Sequence, residues 1–246
     1  VYFAYCKSGS HALVPYSAYG PNKAMAEGLM KGLGVEVEPY DPMVGKDIKK
    51  LIRKNTTLIW CESPGSVTME IQDIPEIVKV AHQKNVPVAL DNTYAAGVLF
   101  DAFKFNVDIS IQALTKYVGG HSDLLLGSVS VRDENAYKTV GPIYMQLGLA
   151  VSPDDCSLAL RGLQTLALRL DQLEKSTLEV ALWLSKNDMI DEVYHPALDT
   201  CPGHDIWKRD FTGSASVFSF TFIETISSKE VQELSLIHIS EPTRLG

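Results

Sequence analysis

A series of short apolar runs, separated by stretches with helical patterning, constrains this chain more than any other feature. Thr57 to Cys61 (Thr-Leu-Ile-Trp-Cys), Val86 to Leu90, Val107 to Ile111 and Gly127 to Val131 each read as a strand. Near-continuous apolar runs fit strands covered on both faces. Helical patterns lie among them. From Pro21 to Leu33 the apolar residues Met25, Leu29 and Leu33 recur every fourth position, Pro21 suits a first turn, and Gly34 supplies a stop. A second helix starts at Asp73, which caps the first turn with Glu76 in a D-x-x-E box. Ile74, Ile77, Val78 and Ala81 then form one face, and the pattern ends near Asn85. Strands alternating with helices predict an α/β fold: a mostly parallel sheet with helices on both faces. Ligands of such sheets sit beyond the carboxyl ends of the strands. Glu62, Asp91 and Lys116 lie just past such ends.

Beyond Ser152 the pattern changes. Ser152 as cap, Pro153 in the first turn and Leu158, Leu163, Leu166, Leu170 and Leu173 on the apolar side predict one long helix bridging to a second domain. Ser214 to Phe222 then alternates with period two from Ser216 onward, as a strand of a small α+β domain would. There is no internal repeat and no low-complexity linker.

Composition narrows the function. With 22 Lys and Arg against 30 Asp and Glu the formal charge is −8 over 246 residues. Nucleic-acid binding is driven by clustered cations, so this balance argues against it. No run reaches the ~20 apolar residues of a membrane span, and no basic segment followed by an apolar stretch opens the chain. A soluble, cytoplasmic protein is expected. Cys6, Cys61, Cys156 and Cys201 are widely spaced without a CxxC pair, so buried reduced thiols are expected and a metal centre is not.

The chemistry-bearing residues centre on Lys116. It stands in Ser110-Ile111-Gln112-Ala113-Leu114-Thr115-Lys116-Tyr117, an apolar neighbourhood of the kind that favours a neutral, nucleophilic amine. Asp91 at a strand end, Thr115 beside the lysine and the loop Gly119-Gly120-His121-Ser122-Asp123 add a carboxylate and donors. An amine for covalent attachment, an acid to hold a pyridinium nitrogen and donors to a phosphate are what pyridoxal 5′-phosphate (PLP) requires. Spacing alone leaves other readings open: a solvated lysine, Asp91 as a helix cap, Thr115 bonded to local backbone. A nucleotide-binding sheet is the weaker alternative, since no G-x-G-x-x-G follows the early strands.

Asp91-Asn92-Thr93, Ser110 to Tyr117 and Gly120-His121-Ser122-Asp123 resemble the signature of the transsulfuration (Cys/Met metabolism) PLP-dependent enzymes, fold type I. Glu62 to Glu70, Asp91 to Phe100 and Trp207 to Gly213 look most like the β-lyase branch, and the likeness runs from about His11 to about Phe222 in separated blocks. The resemblance implies that Lys116 is the Schiff-base lysine and Asp91 the partner of the pyridine nitrogen. It implies that Tyr19 stacks on the cofactor ring near the substrate amine, and that Thr115 binds phosphate. The implied activity is a carbon–sulfur lyase that cleaves cystathionine by α,β-elimination, with γ-synthase or γ-lyase chemistry as the alternative. A non-catalytic cofactor-binding scaffold is the alternative from another class. Two departures stand out. Ala113 replaces a serine common three residues before the lysine, and Ser66 stands where γ-acting relatives often carry Asn. His121 is read as bracing the lysine loop, and Arg161 as packing or ion-pairing near the domain junction. A homotetramer with active sites shared between subunits is also implied.

Both ends look unusual. The chain opens at Val1, and Leu234-Ser235-Leu236-Ile237-His238-Ile239-Ser240-Glu241-Pro242-Thr243-Arg244 resembles a reading-frame translation of a transposase-type sequencing adapter. The expected organisation is therefore a PLP-binding large domain at 1–161, incomplete at its N-terminal side, a truncated small domain at 162–233, and a non-native tail at 234–246. Relatives of this kind draw a phosphate loop, an N-terminal arm of the neighbouring subunit and a carboxylate-binding arginine from segments outside the matching blocks. An internal fragment inactive by itself is the corresponding expectation.

Overall fold

The computed structural model describes residues 1–226 together with Lys229 and Val231; the adapter-like tail expected at 234–246 lies outside the described residues. A six-stranded sheet has the order β2-β1-β3-β4-β5-β6. Its strands are β1 (His11–Pro15), β2 (Glu36–Tyr40), β3 (Thr56–Glu62), β4 (Val88–Asp91), β5 (Ile109–Ala113) and β6 (Gly127–Val131). All pair in parallel except β5 with β6, which are antiparallel. The four apolar runs read from sequence correspond to β3 through β6.

The inner strands β1, β3 and β4 are covered on both faces, which accounts for their lack of alternation, whereas the edge strand β6 alternates Ser and Val and is largely exposed. One face carries Leu13, Ile59, Cys61, Val88 and Leu90 against α3 (Ile74–His82) and a 3-10 segment, Pro42–Lys50. The other carries Ala12, Val14, Leu58, Trp60 and Ala89 against α1 (Tyr2–Tyr5) and the helix that follows β1. Tyr2 of α1 stacks on Trp60 at 5.0 Å between ring centroids. Helix α3 follows its pattern: Asp73 accepts from the Glu76 amide at 3.3 Å, and Ile74, Ile77, Val78, Val80 and Ala81 are buried. Full burial of each of the larger side chains contributes about 1.5–3 kcal/mol. The Glu76 carboxylate takes the Lys79 ammonium at 3.0 Å, so the cap is one-sided.

Four expectations change. The helix after β1 begins as α2 (Gly20–Ala24) and widens into a π-helical segment, Met25–Met30, which turns Ala26 and Met30 inward while Leu29 and Leu33 stay exposed. A wider turn shifts the buried stripe off the four-residue spacing. The single long helix is two, α5 (Pro153–Leu163) and α6 (Leu166–Leu184), preceded by α4 (Glu134–Gln146). Ser152 does cap α5 through the Asp155 amide, but Leu163 is exposed where the chain breaks at Thr165. The last strand, β8 (Ser219–Phe222), is shorter than the alternation suggests; it pairs antiparallel with β7 (Ile190–Tyr194), α7 (His204–Asp210) lying between them in sequence. Residues 214–218 serve instead as a connection alongside the carboxyl ends of the main sheet. Of the cysteines, Cys6, Cys61 and Cys201 are buried and free, whereas Cys156 is exposed on the first turn of α5. No helix among the described residues is long and apolar enough to cross a membrane.

Candidate active site

The strand order itself points to the site. After β1 the chain moves to β2 on one side and then returns to β3 on the other, so the loops leaving β1 and β3 diverge and open a crevice at their carboxyl ends. A cavity of about 940 Å³ lies there, and Tyr19, Glu62, Asp91, Thr115 and Lys116 all line it. The structure thus brings together every site residue singled out from sequence. Close approach of the two diverging loops requires Gly65: a Cβ there would sit 2.5 Å from Ser17 Cβ. A second hollow, of about 450 Å³, surrounds Asp108 at the other end of the sheet. The Asp108 carboxylate is spent on architecture there, accepting from His82 and the Val88 amide and pairing with Arg132.

Two carboxylates close one side of the main cavity. Glu62 ends β3, Asp91 ends β4, and the sheet register sets them side by side. Asp91 Oδ1 accepts from the Thr93 amide at 3.0 Å, and the Thr93 hydroxyl accepts in turn from the Ala113 amide at 2.8 Å. Burial pushes the Asp91 carboxyl above its ordinary range, partly offset by the Thr93 donors; no cationic side chain bears on it among the described residues. Glu62 Oε2 accepts from the Tyr19 amide at 2.8 Å. Burial, reinforced by the charge of Asp91, pushes Glu62 up to about 8. Behind Glu62, Gln72 accepts from its amide at 3.1 Å and donates to Tyr40, whose hydroxyl donates to the Trp60 carbonyl. Tyr19 is half-exposed at the N-terminus of α2.

Lys116 lines the same cavity and is exposed rather than enclosed. The apolar residues beside it in sequence do not enclose it: Val118 is in the core, Leu114 packs against it, and Tyr117 packs there while also lining the cavity. The Thr115 hydroxyl is engaged by local backbone, accepting from the Leu126 amide at 3.0 Å and donating to the Leu126 carbonyl at 3.2 Å. A phosphate at Thr115 must therefore compete with Leu126. His121 Nδ1 lies 2.7 Å from the Gly119 carbonyl, a brace within the lysine loop, and Arg161 pairs with Asp123 of the same loop. On the rim, Val67 and Met69 adopt left-handed φ values of 70° and 63°. Hydrogen bonds from Ser219 and Cys201 to the Val67 and Met69 carbonyls hold this segment.

Sequence reasoning missed Arg169 as a cavity residue. It sits among leucines of α6 and looks like an ordinary solvated helix arginine. Its position in the cavity wall depends on the break at Thr165, which the leucine pattern does not reveal. Thr93 was quoted only within a motif, although it is the group that ties Asp91 to β5.

The donor set fits PLP. A partly buried carboxylate without a cationic partner is matched by a protonated pyridine nitrogen, a lysine amine lines the same cavity, and the volume lies within the roughly 300–1,000 Å³ of cofactor sites.

The sequence matches the family described as Cys/Met metabolism PLP-dependent enzyme over residues 1–243. It is 46% identical over 216 residues to a putative cystathionine β-lyase of Saccharomyces cerevisiae, covering 88% of this chain and 63% of the relative. It is 41% identical over 231 residues to a cystathionine β-lyase of Escherichia coli K12, covering 93% of this chain and 58% of the relative. The fold superposes with a TM-score of 0.88 and 28% identity on a cystathionine γ-synthase of Xanthomonas oryzae pv. oryzae, solved with aminoacrylate and cysteine; the match covers 94% of this chain and 59% of that one. The chain therefore spans about 60% of the length of these relatives.

Proposed function

Because the chain belongs to the Cys/Met metabolism PLP-dependent enzyme family, we propose that it carries the cofactor-bearing centre of a carbon–sulfur lyase cleaving L-cystathionine by α,β-elimination. The overall change consumes one water and yields homocysteine, pyruvate and ammonia. The observation that carries the reading is the convergence of Lys116, Asp91 and Tyr19 on one cavity at the topological switch point. When bound, PLP supplies an electron sink for negative charge developing at the substrate Cα.

The chain's own residues divide the remaining work. Lys116 Nζ would hold the cofactor and, when free of it, would take the Cα proton and deliver a proton to the departing sulfur. The Asp91 carboxylate would hold the pyridine nitrogen in its protonated form, in an orientation set by Thr93. Tyr19 offers its ring at the cavity mouth, anchored through its amide by Glu62. Ser66, where γ-acting relatives often carry Asn, lines the same cavity and supports the β-lyase branch. The Xanthomonas structure keeps γ-synthase or γ-lyase chemistry as the second reading.

The test has two parts. The chain is incubated with PLP and reduced with borohydride, and the modified peptide is mapped: the label falls on Lys116 and vanishes in Lys116→Ala. The chain is then completed with the flanking segments of the E. coli relative and given cystathionine. Pyruvate release supports the lyase reading, 2-oxobutyrate release moves the assignment to the γ-carbon, and binding of PLP without turnover points to a non-catalytic scaffold.

The partner reading is a homotetramer with shared sites, working in the cytoplasm. Its self-association part is supported by α4, which has no buried residue and exposes Tyr137 and Met145, and by Leu160 and Leu163 on α5. Sedimentation of the completed chain as a monomer would remove it.

A further inference from the structure

We propose that Arg169 is the positioning residue for Lys116, fixing the backbone that follows the lysine by gripping its carbonyls from helix α6. The inference rests on the reading of Lys116 as the cofactor lysine.

A guanidinium has five N–H donors in a planar fork, and four contacts of Arg169 are with fixed acceptors. Nη1 donates to the Tyr117 carbonyl at 2.6 Å. Nη2 donates to the Val118 carbonyl at 3.2 Å and to the Gly162 carbonyl at 2.8 Å. Nε donates to Thr165 Oγ1 at 3.0 Å. An arginine spent in this way is not available to grip a substrate carboxylate, although it lines the cavity. The Gly162 carbonyl belongs to the last turn of α5, where the partial negative charge of a helix end favours a cation.

The lysine loop satisfies some of its own backbone: the Lys116 amide donates to Ala113, Gly119 to Leu114 and Gly120 to the Lys116 carbonyl. Arg169 supplies donors to the next two carbonyls, Tyr117 and Val118. The residue after the lysine is also held at its other end, where Tyr117 Oη accepts from the Ser216 amide at 3.1 Å and lies 3.2 Å from Ser216 Oγ. Steric facts agree with this arrangement. A Cβ on Gly120 would collide with the Arg169 guanidinium, and one on Gly162 with the Val118 carbonyl. Both glycines therefore admit the close approach on which the grip depends. Helix α6 leads toward β7, so the lysine loop is registered against the C-terminal part of the described chain through Arg169 as well as through the Tyr117–Ser216 contact. Lysine could not replace this arginine, because a single ammonium cannot span four acceptors in a plane.

The test compares the parent chain with Arg169→Lys, Arg169→Ala and Thr165→Val. Amide hydrogen exchange is measured without cofactor, and the rate of borohydride-trapped PLP labelling at Lys116 is measured with it. Arg169→Lys raises exchange of the Tyr117–Gly120 amides and slows labelling at least about tenfold, the factor carried by one lost charge-assisted hydrogen bond, while amides of β3 and β4 keep their protection. Added guanidinium restores part of the labelling rate to Arg169→Ala. Should either arginine variant lose β3 and β4 protection, Thr165→Val, which removes the acceptor of Nε, decides the matter, with a smaller change of the same sign expected. Parent-like exchange and labelling in the folded variants would overturn the proposal. Label on the parent chain at a residue other than Lys116 defeats the cofactor reading instead, and exchange alone then decides whether Arg169 holds the loop.

Discussion

Replacing Glu62 by Gln isolates the electrostatic cost of the buried carboxylate pair. Glu62 is 9% exposed, and burial with the neighbouring Asp91 charge raises its carboxyl from 4.5 to about 8. Below pH about 4.5 the group is protonated in both folded and unfolded chains and costs nothing. As pH rises from there toward 8 the unfolded chain releases the proton while the folded chain keeps it, so this contribution to stability declines across that window and then levels off. At about 1.4 kcal/mol per pH unit the whole interval amounts to about 5 kcal/mol. Relaxation and water penetration reduce such penalties in real interiors, so about 2–5 kcal/mol is the expected range.

Glutamine keeps an oxygen to accept from the Tyr19 amide and cannot ionise. Glu62→Gln and the parent should therefore be equally stable at pH 4.5, with the variant gaining steadily to the full difference at pH 8. The assay is urea unfolding at several pH values between 4.5 and 8.5, with slopes compared to ensure that the same surface unfolds. Asp91 is raised in the same direction but is present in both proteins, and its shift comes from burial and the Thr93 donors, which the substitution leaves in place. A stability difference independent of pH, or a variant less stable at pH 8, would refute the reasoning.

Three other substitutions probe the scaffold around the site. Gly162→Ala places a methyl against the Val118 carbonyl and should cost about 2–3 kcal/mol by forced displacement, read as a lower urea midpoint with faster exchange in the lysine loop; an unchanged midpoint rejects the tight approach. Asp73→Ala removes the cap on α3 and the pairing with Arg209 at 2.8 Å; a loss of about 1–2 kcal/mol is expected, and a loss within error shows the cap to be idle. Val67→Gly relieves a β-branched residue at φ 70° whose side chain is 74% exposed, so stability should rise by about 0.5–1 kcal/mol. A destabilised variant would mean that Val67 packs in a way its exposure does not suggest.

The elements that were legible in sequence are those whose signal is local. Asp73 caps α3 because the amide that donates to it lies three residues away, and Ser152 caps α5 for the same reason. The runs at 57–61 and 86–90 read as covered strands because helices pack on both faces of the sheet. Local periodicity misled where the geometry departs from its assumed repeat. Leu29 and Leu33 form a stripe only if the helix keeps 3.6 residues per turn, and the π-helical segment replaces them in the core with Ala26 and Met30. The leucines from 158 to 173 fit one helix, yet Thr165 breaks it.

The same distinction explains which parts of the site could be found. Lys116, Asp91, Tyr19 and Thr115 belong to motifs whose side chains carry the chemistry, so residue type and order sufficed to nominate them. Their state did not follow from type: Lys116 is exposed because its apolar neighbours turn to the core, and the Thr115 hydroxyl is taken by Leu126. Arg169 was hidden for a further reason. Three of its acceptors are backbone carbonyls, which every residue possesses and no sequence pattern distinguishes. A side chain that recognises other side chains leaves a trace in their identities, whereas one that recognises backbone leaves its trace in the residues that must stay small around it. Gly120 and Gly162 are that trace, and they become interpretable only once the collision each would cause has been located.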